Sequence, residues 1–134
     1  MKLDKFDTSK KSNSGVFLHL VAPDGAKIYD EGVDGKRDLS KPVGLIMLGV
    51  DSKHYQDVKH KRANDRRIGG DKITSEMVED ENIQLLADLT TGWQNLEVDG
   101  DSKYSRENVL KLYVKYPWAR EQANAFAGNR ANFI

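Results

Sequence analysis

Hydrophobic and polar positions divide the chain into a polar start, a β-rich stretch over residues 15–50 and a helical stretch over residues 51–134. Residues 1–14 are almost wholly polar, and such a segment cannot bury enough apolar surface to offset the entropy of ordering it. We therefore expect residues 1–14 to form a flexible polar N-terminal arm. Residues 15–134 are expected to form one domain, because two cores in a chain of 134 residues would both be small.

The β-rich stretch contains two apolar runs of different character. Val16–Val21 is short and partly β-branched, and Pro23–Ala26 supplies turn-forming residues, so residues 15–30 predict a β-hairpin. A polar loop is expected over residues 31–41. The continuous apolar run Pro42–Val50 predicts a strand that is covered on both faces and lies at the centre of the core.

The remainder of the chain predicts a bundle of about four helices, because helix-starting residues recur along it. Side chains suited to N-capping occur at Asp51-Ser52, Thr74 and Ser105, and Pro117 suits the first turn of a helix. The four predicted helices end near Arg67, near Thr91, before Pro117 and near Gly128. Strands followed by helices predict an α+β fold.

Apolar side chains at helical spacing predict which helix faces pack inward. In the second helix Val78, Leu85, Leu89 and Trp93 fall close to one stripe. The other candidate core residues are Val109, Leu110, Leu112 and Tyr113 in the third helix and Trp118, Ala123, Phe126 and Ala127 in the fourth, with Phe133 and Ile134 docking at the end.

Residues able to carry catalysis or bind a metal form no recognisable arrangement. The chain has no cysteine, which excludes disulfides and thiolate metal sites. His54 and His60 lie about 240° apart around a helix and cannot share an ion there. Residues 99–102 begin like a calcium loop, but Lys103 and Tyr104 then occupy positions that need a ligand and a glycine. We expect no enzymatic activity, no metal and no cofactor.

Charge is balanced overall but divided along the chain. Lys and Arg total 21 and Asp and Glu total 21, a balance that disfavours nucleic-acid coats and polybasic membrane binders. Residues 53–67 are basic, whereas residues 74–101 contain eight carboxylates and no Lys or Arg. These segments could complement each other within one chain or between copies, contact nucleic acid, or form a solvated surface. The candidates for a charged interface are Lys59, Arg62, Arg66 and Arg67.

Aromatic residues are dense in the C-terminal half of the chain. They suit either core packing or a groove for an apolar partner segment, since aromatic side chains dominate interface anchors. Four of them lie in the predicted amphipathic helices and are our candidate partner-binding residues: Trp93, Tyr113, Trp118 and Phe126.

Short motifs spread from about Gly15 to Phe133 resemble those of the tail assembly chaperones encoded among the tail genes of tailed bacteriophages. The resemblance is strongest between Thr90 and Phe133. The motifs are Asp51-Ser52 with Tyr55 after an apolar strand, Thr90-Thr91-Gly92-Trp93, Ser105-x-Glu107-Asn108-Val109, Tyr116-Pro117-Trp118-x-Arg120-x-Gln122, Phe126, and Asn129-Arg130-x-Asn132-Phe133.

This resemblance implies a non-enzymatic role in the cytoplasm of the infected host cell. Such chaperones bind the long, helical, aggregation-prone tape-measure protein and assist the tail-tube protein to polymerise around it, and they are generally absent from the finished particle. Homo-oligomers are compatible with that role. Two other functions stay open from the residues alone: a structural virion component such as a tail or connector subunit, and a nucleic-acid-binding accessory protein that uses residues 53–67.

Overall fold

The α+β fold predicted from the sequence is confirmed by a computed structural model, which describes residues 2–69 and 74–134, with the side chains of residues 66–69 outside the description. N-terminal strands precede most of the helices, and the strands form two small antiparallel sheets. In chain order the elements are a 3-10 turn Asp4–Phe6, α1 Ser9–Ser14, β1 Val16–His19, β2 Tyr29–Glu31, β3 Arg37–Pro42, β4 Gly44–Met47, α2 Lys53–Gly69, α3 Ser75–Leu89, β5 Thr90–Gln94, α4 Arg106–Lys115, α5 Pro117–Gly128 and a C-terminal 3-10 turn Arg130–Phe133.

The central strand of the main sheet is β4, which pairs with β1 on one side and β5 on the other. Leu45 and Met47 on this strand are fully buried. Cross-strand register places Leu18 and Trp93 on either side of Leu45, so these three side chains share one face. The prediction of a strand at the centre of the core is therefore confirmed, but Ile46 on its other face is only partly buried, so the predicted cover on both faces is incomplete.

The hairpin predicted over residues 15–30 is confirmed only at its turn, where the Ala22 amide donates to the Ala26 carbonyl at 2.8 Å and the Ile28 amide donates to the Leu20 carbonyl at 3.0 Å. The loop predicted over residues 31–41 contains most of β3. A single bridge joins Val21 to Lys27, while β1 pairs with β4 and β2 pairs with β3 in a separate two-stranded sheet. Each strand pairs with a strand of similar polarity and burial. The apolar strands β1 and β4 pair in the core, whereas the polar β3 pairs with β2 in a mostly exposed ribbon.

The predicted N-caps are confirmed. The side chain of Ser52 accepts a hydrogen bond from the Tyr55 amide at 3.1 Å, and the side chain of Thr74 accepts one from the Met77 amide at 3.2 Å. Ser105 accepts from the Asn108 amide at 3.1 Å. Each hydroxyl satisfies an amide that has no partner within its helix, which fixes where α2, α3 and α4 begin.

The second predicted helix ends earlier than its apolar stripe suggests. It stops at Leu89, and Thr90–Gln94 forms β5 along the free edge of β4. The Thr90 side chain donates to the Leu86 carbonyl at 2.7 Å, and the β-branched pair of threonines favours extended backbone. Trp93 therefore belongs to the sheet, and its predicted place on the helix stripe is wrong.

Helices α3, α4 and α5 pack together on the face of the sheet that carries Leu45. The buried helical residues are Ile83, Leu86, Ala87, Leu89, Val109, Leu112, Tyr113, Ala119, Ala123 and Ala127. Phe133 also docks as predicted, with 1% of its surface exposed, but Ile134 is 54% exposed. No helix in the described ranges has the length and apolar character needed to cross a membrane.

The N-terminal segment differs from the flexible arm that its composition predicts. Residues 9–14 form α1, in which Ser12 is 1% exposed. The Ser12 carbonyl accepts from the Gly49 amide at 3.1 Å, and the Asn13 side chain accepts from the Lys53 amide at 2.8 Å. These hydrogen bonds offset the cost of burying polar groups, so the segment docks without apolar side chains.

Candidate functional site

Tyr113, one of the four predicted partner-binding aromatics, belongs to the core. Its side chain is fully buried, and its hydroxyl lies 2.6 Å from that of Thr90. Burial raises the pKa of the Tyr113 hydroxyl, which keeps it protonated and able to donate. A partner cannot reach this side chain in the folded domain, and the prediction that Tyr113 is an interface anchor is wrong.

Trp93 holds the turn between β5 and α4. Its indole Nε1 donates to the Ser102 carbonyl at 3.0 Å, and its ring meets the ring of Tyr104 edge-on at 5.5 Å. The Tyr104 hydroxyl in turn donates to the Thr90 carbonyl at 2.6 Å. The Trp93 side chain is only partly buried, but its polar atom is already used within the fold.

Trp118 and Phe126 lie at different places on α5. Eight residues separate them, which corresponds to about 12 Å along a helix. Trp118 packs edge-on against Tyr116 at 5.9 Å, whereas Phe126 packs edge-on against Phe133 at 5.7 Å. The four predicted aromatics therefore do not line one common groove.

Charged residues of α2 face their complements in the same chain. Arg62 donates to the Glu81 carbonyl at 2.5 Å and lies 3.4 Å from the Asp88 carboxylate. Arg106 on α4 also pairs with Asp88. Lys59 is exposed, while the side chains of Arg66 and Arg67 lie outside the described residues. Among the possibilities left open for the charged segments, the contacts of Arg62 support complementarity within one chain.

The outer face of the main sheet carries a different set of apolar residues. The register pairs Phe17 with Ile46 and Ile46 with Gly92, so these residues share the face opposite Leu45. Phe17 and Ile46 are only partly buried and lie outside the main buried cluster. We call Phe17, His19 and Ile46, together with the adjacent Tyr29 of β2, the open sheet face.

Aromatic contacts give the open sheet face its shape. The rings of Phe17 and His19 are 6.2 Å apart, and His19 meets Tyr29 edge-on at 4.8 Å. The Phe17 ring lies over Gly44, where a Cβ atom would come within 2.6 Å of the ring. His19 Nε2 is 2.8 Å from the Ile28 carbonyl, which fixes the imidazole in place. The result is a shallow surface with its polar nitrogen already engaged.

The dimensions of this face restrict what it can bind. Three strands of about four residues present roughly 200 Å², whereas each partner in a stable protein–protein interface contributes about 800 Å². A single α-helix is about 10 Å wide with its side chains and matches such a strip. The open sheet face therefore suits one narrow segment better than a second globular domain.

A second depression lies between β1 and α5, but its polar groups are used within the fold. It is lined in part by Leu18, Val21 and Phe126. The Gln122 side chain accepts from the Val21 amide at 2.9 Å and donates to the Val21 carbonyl at 2.6 Å. Asn132 donates to the Phe126 carbonyl at 3.1 Å. The depression thus offers packing surface without convergent reactive groups.

The described residues form no metal-binding cluster. Residues 2–69 and 74–134 bring together no group of three or more His, Asp or Glu side chains that could hold a metal ion.

Comparison of the chain with protein-family models, with curated proteins and with solved structures found no match.

Sequence reasoning missed the open sheet face because the apolar run Pro42–Val50 suggested a strand covered on both faces. Ile46 is in fact partly exposed. The available signal was alternation along residues 17–20, where the buried Leu18 and Leu20 alternate with Phe17 and His19.

Proposed function

We propose that this protein is a non-enzymatic tail assembly chaperone of a tailed bacteriophage. In this proposal it binds helical segments of the tape-measure protein in the host cytoplasm and leaves as the tail-tube protein polymerises. Two observations together carry the proposal: the family resemblance between Thr90 and Phe133, and a partly exposed apolar strip about as wide as one helix.

The residues that carry the resemblance have roles inside the fold. Asp51 pairs with Arg130, Ser52 caps α2 and Gln122 bonds both backbone groups of Val21. Because these roles are structural, partner binding would fall to other residues. The open sheet face supplies such residues, since Phe17 and Ile46 are partly exposed and Phe17 packs over Gly44.

A chaperone for a long helical chain needs an apolar surface that binds weakly at each site and repeatedly along the partner. Even if the whole face of roughly 200 Å² counted as apolar, its burial would contribute at most about 5 kcal/mol before association costs, and those costs are of similar size. Each copy would therefore bind reversibly, and several copies on one chain would hold through multivalency. Reversible binding also allows tube subunits to displace the chaperone.

Nucleic-acid binding through residues 53–67 is less well supported. Arg62, a central cation of that helix, is engaged by Glu81 and Asp88 of α3. Phosphate contacts would have to compete with these bonds. Binding that depends on phosphates also weakens steeply as salt rises, whereas apolar binding to a tape-measure helix would persist.

The proposal is tested by capture of the tagged full-length chain from infected cells at moderate salt, followed by mass spectrometry, together with a search for the chain in purified virions. We expect the tape-measure protein in the captured fraction and no chain in the particles. The chain as a component of mature particles would instead establish the structural alternative. Capture of nucleic acid alone, lost as salt rises, would contradict the chaperone assignment.

A further inference from the structure

We propose that residues 8–14 form a strap over the corner between β4 and α2, and that Asp51 couples closure of this strap to the position of the C-terminal turn. Opening and closing of the strap would be a conformational change of the chain itself, independent of the proposed function. It rests on a cluster in which residues from both ends of the chain meet on one carboxylate.

Hydrogen bonds from polar groups hold the strap. The Thr8 hydroxyl donates to the Asp51 carboxylate at 2.5 Å, and the Gly49 amide donates to the Ser12 carbonyl at 3.1 Å. The Asn13 side chain accepts from the Lys53 amide at 2.8 Å. Because residues 8–14 contain no apolar side chain, little hydrophobic free energy opposes their release.

The absence of a side chain at Gly49 makes room for the strap. A Cβ atom at this position would collide with the Ser12 side chain and come within 3.2 Å of the Phe133 ring. The Ser12 side chain and the Phe133 ring thus both pack against the position that a Gly49 side chain would occupy, and both residues are 1% exposed. The strap and the C-terminal turn therefore meet at Gly49 and form contacts with each other.

Asp51 joins the two segments electrostatically. Arg130 in the C-terminal turn donates from Nε to Asp51 Oδ2 at 2.8 Å and from Nη2 to Asp51 Oδ1 at 3.0 Å. The Thr8 hydroxyl bonds the same Oδ2 atom. Two parallel bonds to a guanidinium fix the plane of the carboxylate, so the acceptor for Thr8 is already oriented when Arg130 is in place. Loss of Arg130 would leave that acceptor free to rotate.

Opening of the strap would change the surface near α5. Phe133 contacts Phe126 at 5.7 Å between ring centroids, and Phe126 lines the depression between β1 and α5. Release of Ser12 would uncover Phe133 and lengthen that depression along its apolar side. The strap is therefore positioned to control how much apolar surface this end of the domain exposes.

The coupling is tested by hydrogen exchange on the full-length chain carrying Arg130→Gln, Thr8→Val, or both. Arg130 donates its side-chain hydrogen bonds to Asp51 and not to the strap itself. We nevertheless expect its substitution to speed exchange of the Ser12, Gly15 and Gly49 amides about tenfold, the loss typical of a hydrogen bond to a charged group. Coupling is reciprocal, so Thr8→Val should speed exchange in residues 129–133. The double variant should exchange more slowly than the sum of the two free-energy effects predicts, because both substitutions act on the same opening.

Arg106→Gln is the matched control, because Arg106 also pairs with an aspartate but lies on α4. It should leave exchange in residues 9–15 unchanged. The proposal fails if Arg130→Gln leaves the Ser12 and Gly15 amides at the wild-type rate. It also fails if both arginine variants speed exchange throughout the domain to the same extent, or if the effects of Thr8→Val and Arg130→Gln are strictly additive.

Discussion

The hydroxyl groups of Thr90 and Tyr113 lie 2.6 Å apart in the core and join the first residue of β5 to α4. The Thr90 hydroxyl also lies 2.7 Å from the Leu86 carbonyl, in the last turn of α3. One side chain thus ties two helices and a strand together at the point where helix changes to strand. This contact explains why α3 ends at Leu89 although its apolar stripe continues.

Thr90→Val should lower the free energy of unfolding by about 1–2 kcal/mol, because a buried tyrosine hydroxyl loses its partner while the side-chain volume is kept. Thr91→Val is the control, since Thr91 is exposed on the same strand. Urea denaturation of the two variants measures the difference. Equal stabilities for both variants would contradict the role given to the buried hydroxyl pair.

Gln122→Met should also destabilise the domain, by about 1–3 kcal/mol, because both backbone groups of Val21 lose their partner. Glu121→Met places the same side chain at the exposed neighbouring position of α5 and should have little effect. Thermal melting of both variants provides the measurement. Comparable melting temperatures would show that water replaces Gln122 without cost.

Stability should fall in acid in a way that depends on Asp51. Hydrogen bonds from Arg130 and then Thr8 hold the pKa of the Asp51 carboxyl below its usual range. A depressed folded-state pKa stabilises the protein above the unfolded value of about 3.9, and this contribution disappears as pH falls through the folded value. Urea unfolding between about pH 6 and about pH 3 should show a smaller decline for Asp51→Asn than for wild type. Identical declines would contradict the assignment.

The core assignment makes a prediction for Leu48, which is 8% exposed. Leu48→Asp buries an unpaired carboxylate and should unfold the domain or cost more than about 4 kcal/mol. Lys61→Glu on the exposed side of α2 should leave the fold intact. Thermal melting followed by circular dichroism distinguishes the two variants. A wild-type melting temperature for Leu48→Asp would contradict the assignment of Leu48 to the core.

Local chemistry was sufficient to predict helix starts, because the capping hydroxyls of Ser52, Thr74 and Ser105 act on amides three residues away. Strand partners depend on contacts that are distant in sequence. The polar residues of β3 lack the hydrophobic pattern that predicts a strand. The residues of β5 were not predicted as a strand because the apolar stripe of the preceding helix continues to Trp93. Only the register of β4 with both neighbours shows which face the helices leave open.

The candidate site was missed for a related reason. Tyr113 and Phe126 were predicted to bind a partner because they are aromatic residues of amphipathic helices, but both pack within the fold. Burial cannot be read from side-chain type alone, since aromatic residues serve both cores and interfaces. Phe17 and Ile46 looked like core residues because each lies in an apolar run.

The most direct test of the open sheet face measures binding of the purified tape-measure protein to wild type, Ile46→Lys and Val114→Lys. Val114 is 64% exposed on α4 and provides the same substitution on another apolar surface site. We predict that Ile46→Lys weakens binding at least about tenfold, since a charge replaces apolar contact, while Val114→Lys binds like wild type and both variants stay folded. Wild-type binding by a folded Ile46→Lys variant would contradict the claim that this face receives the tape-measure helix.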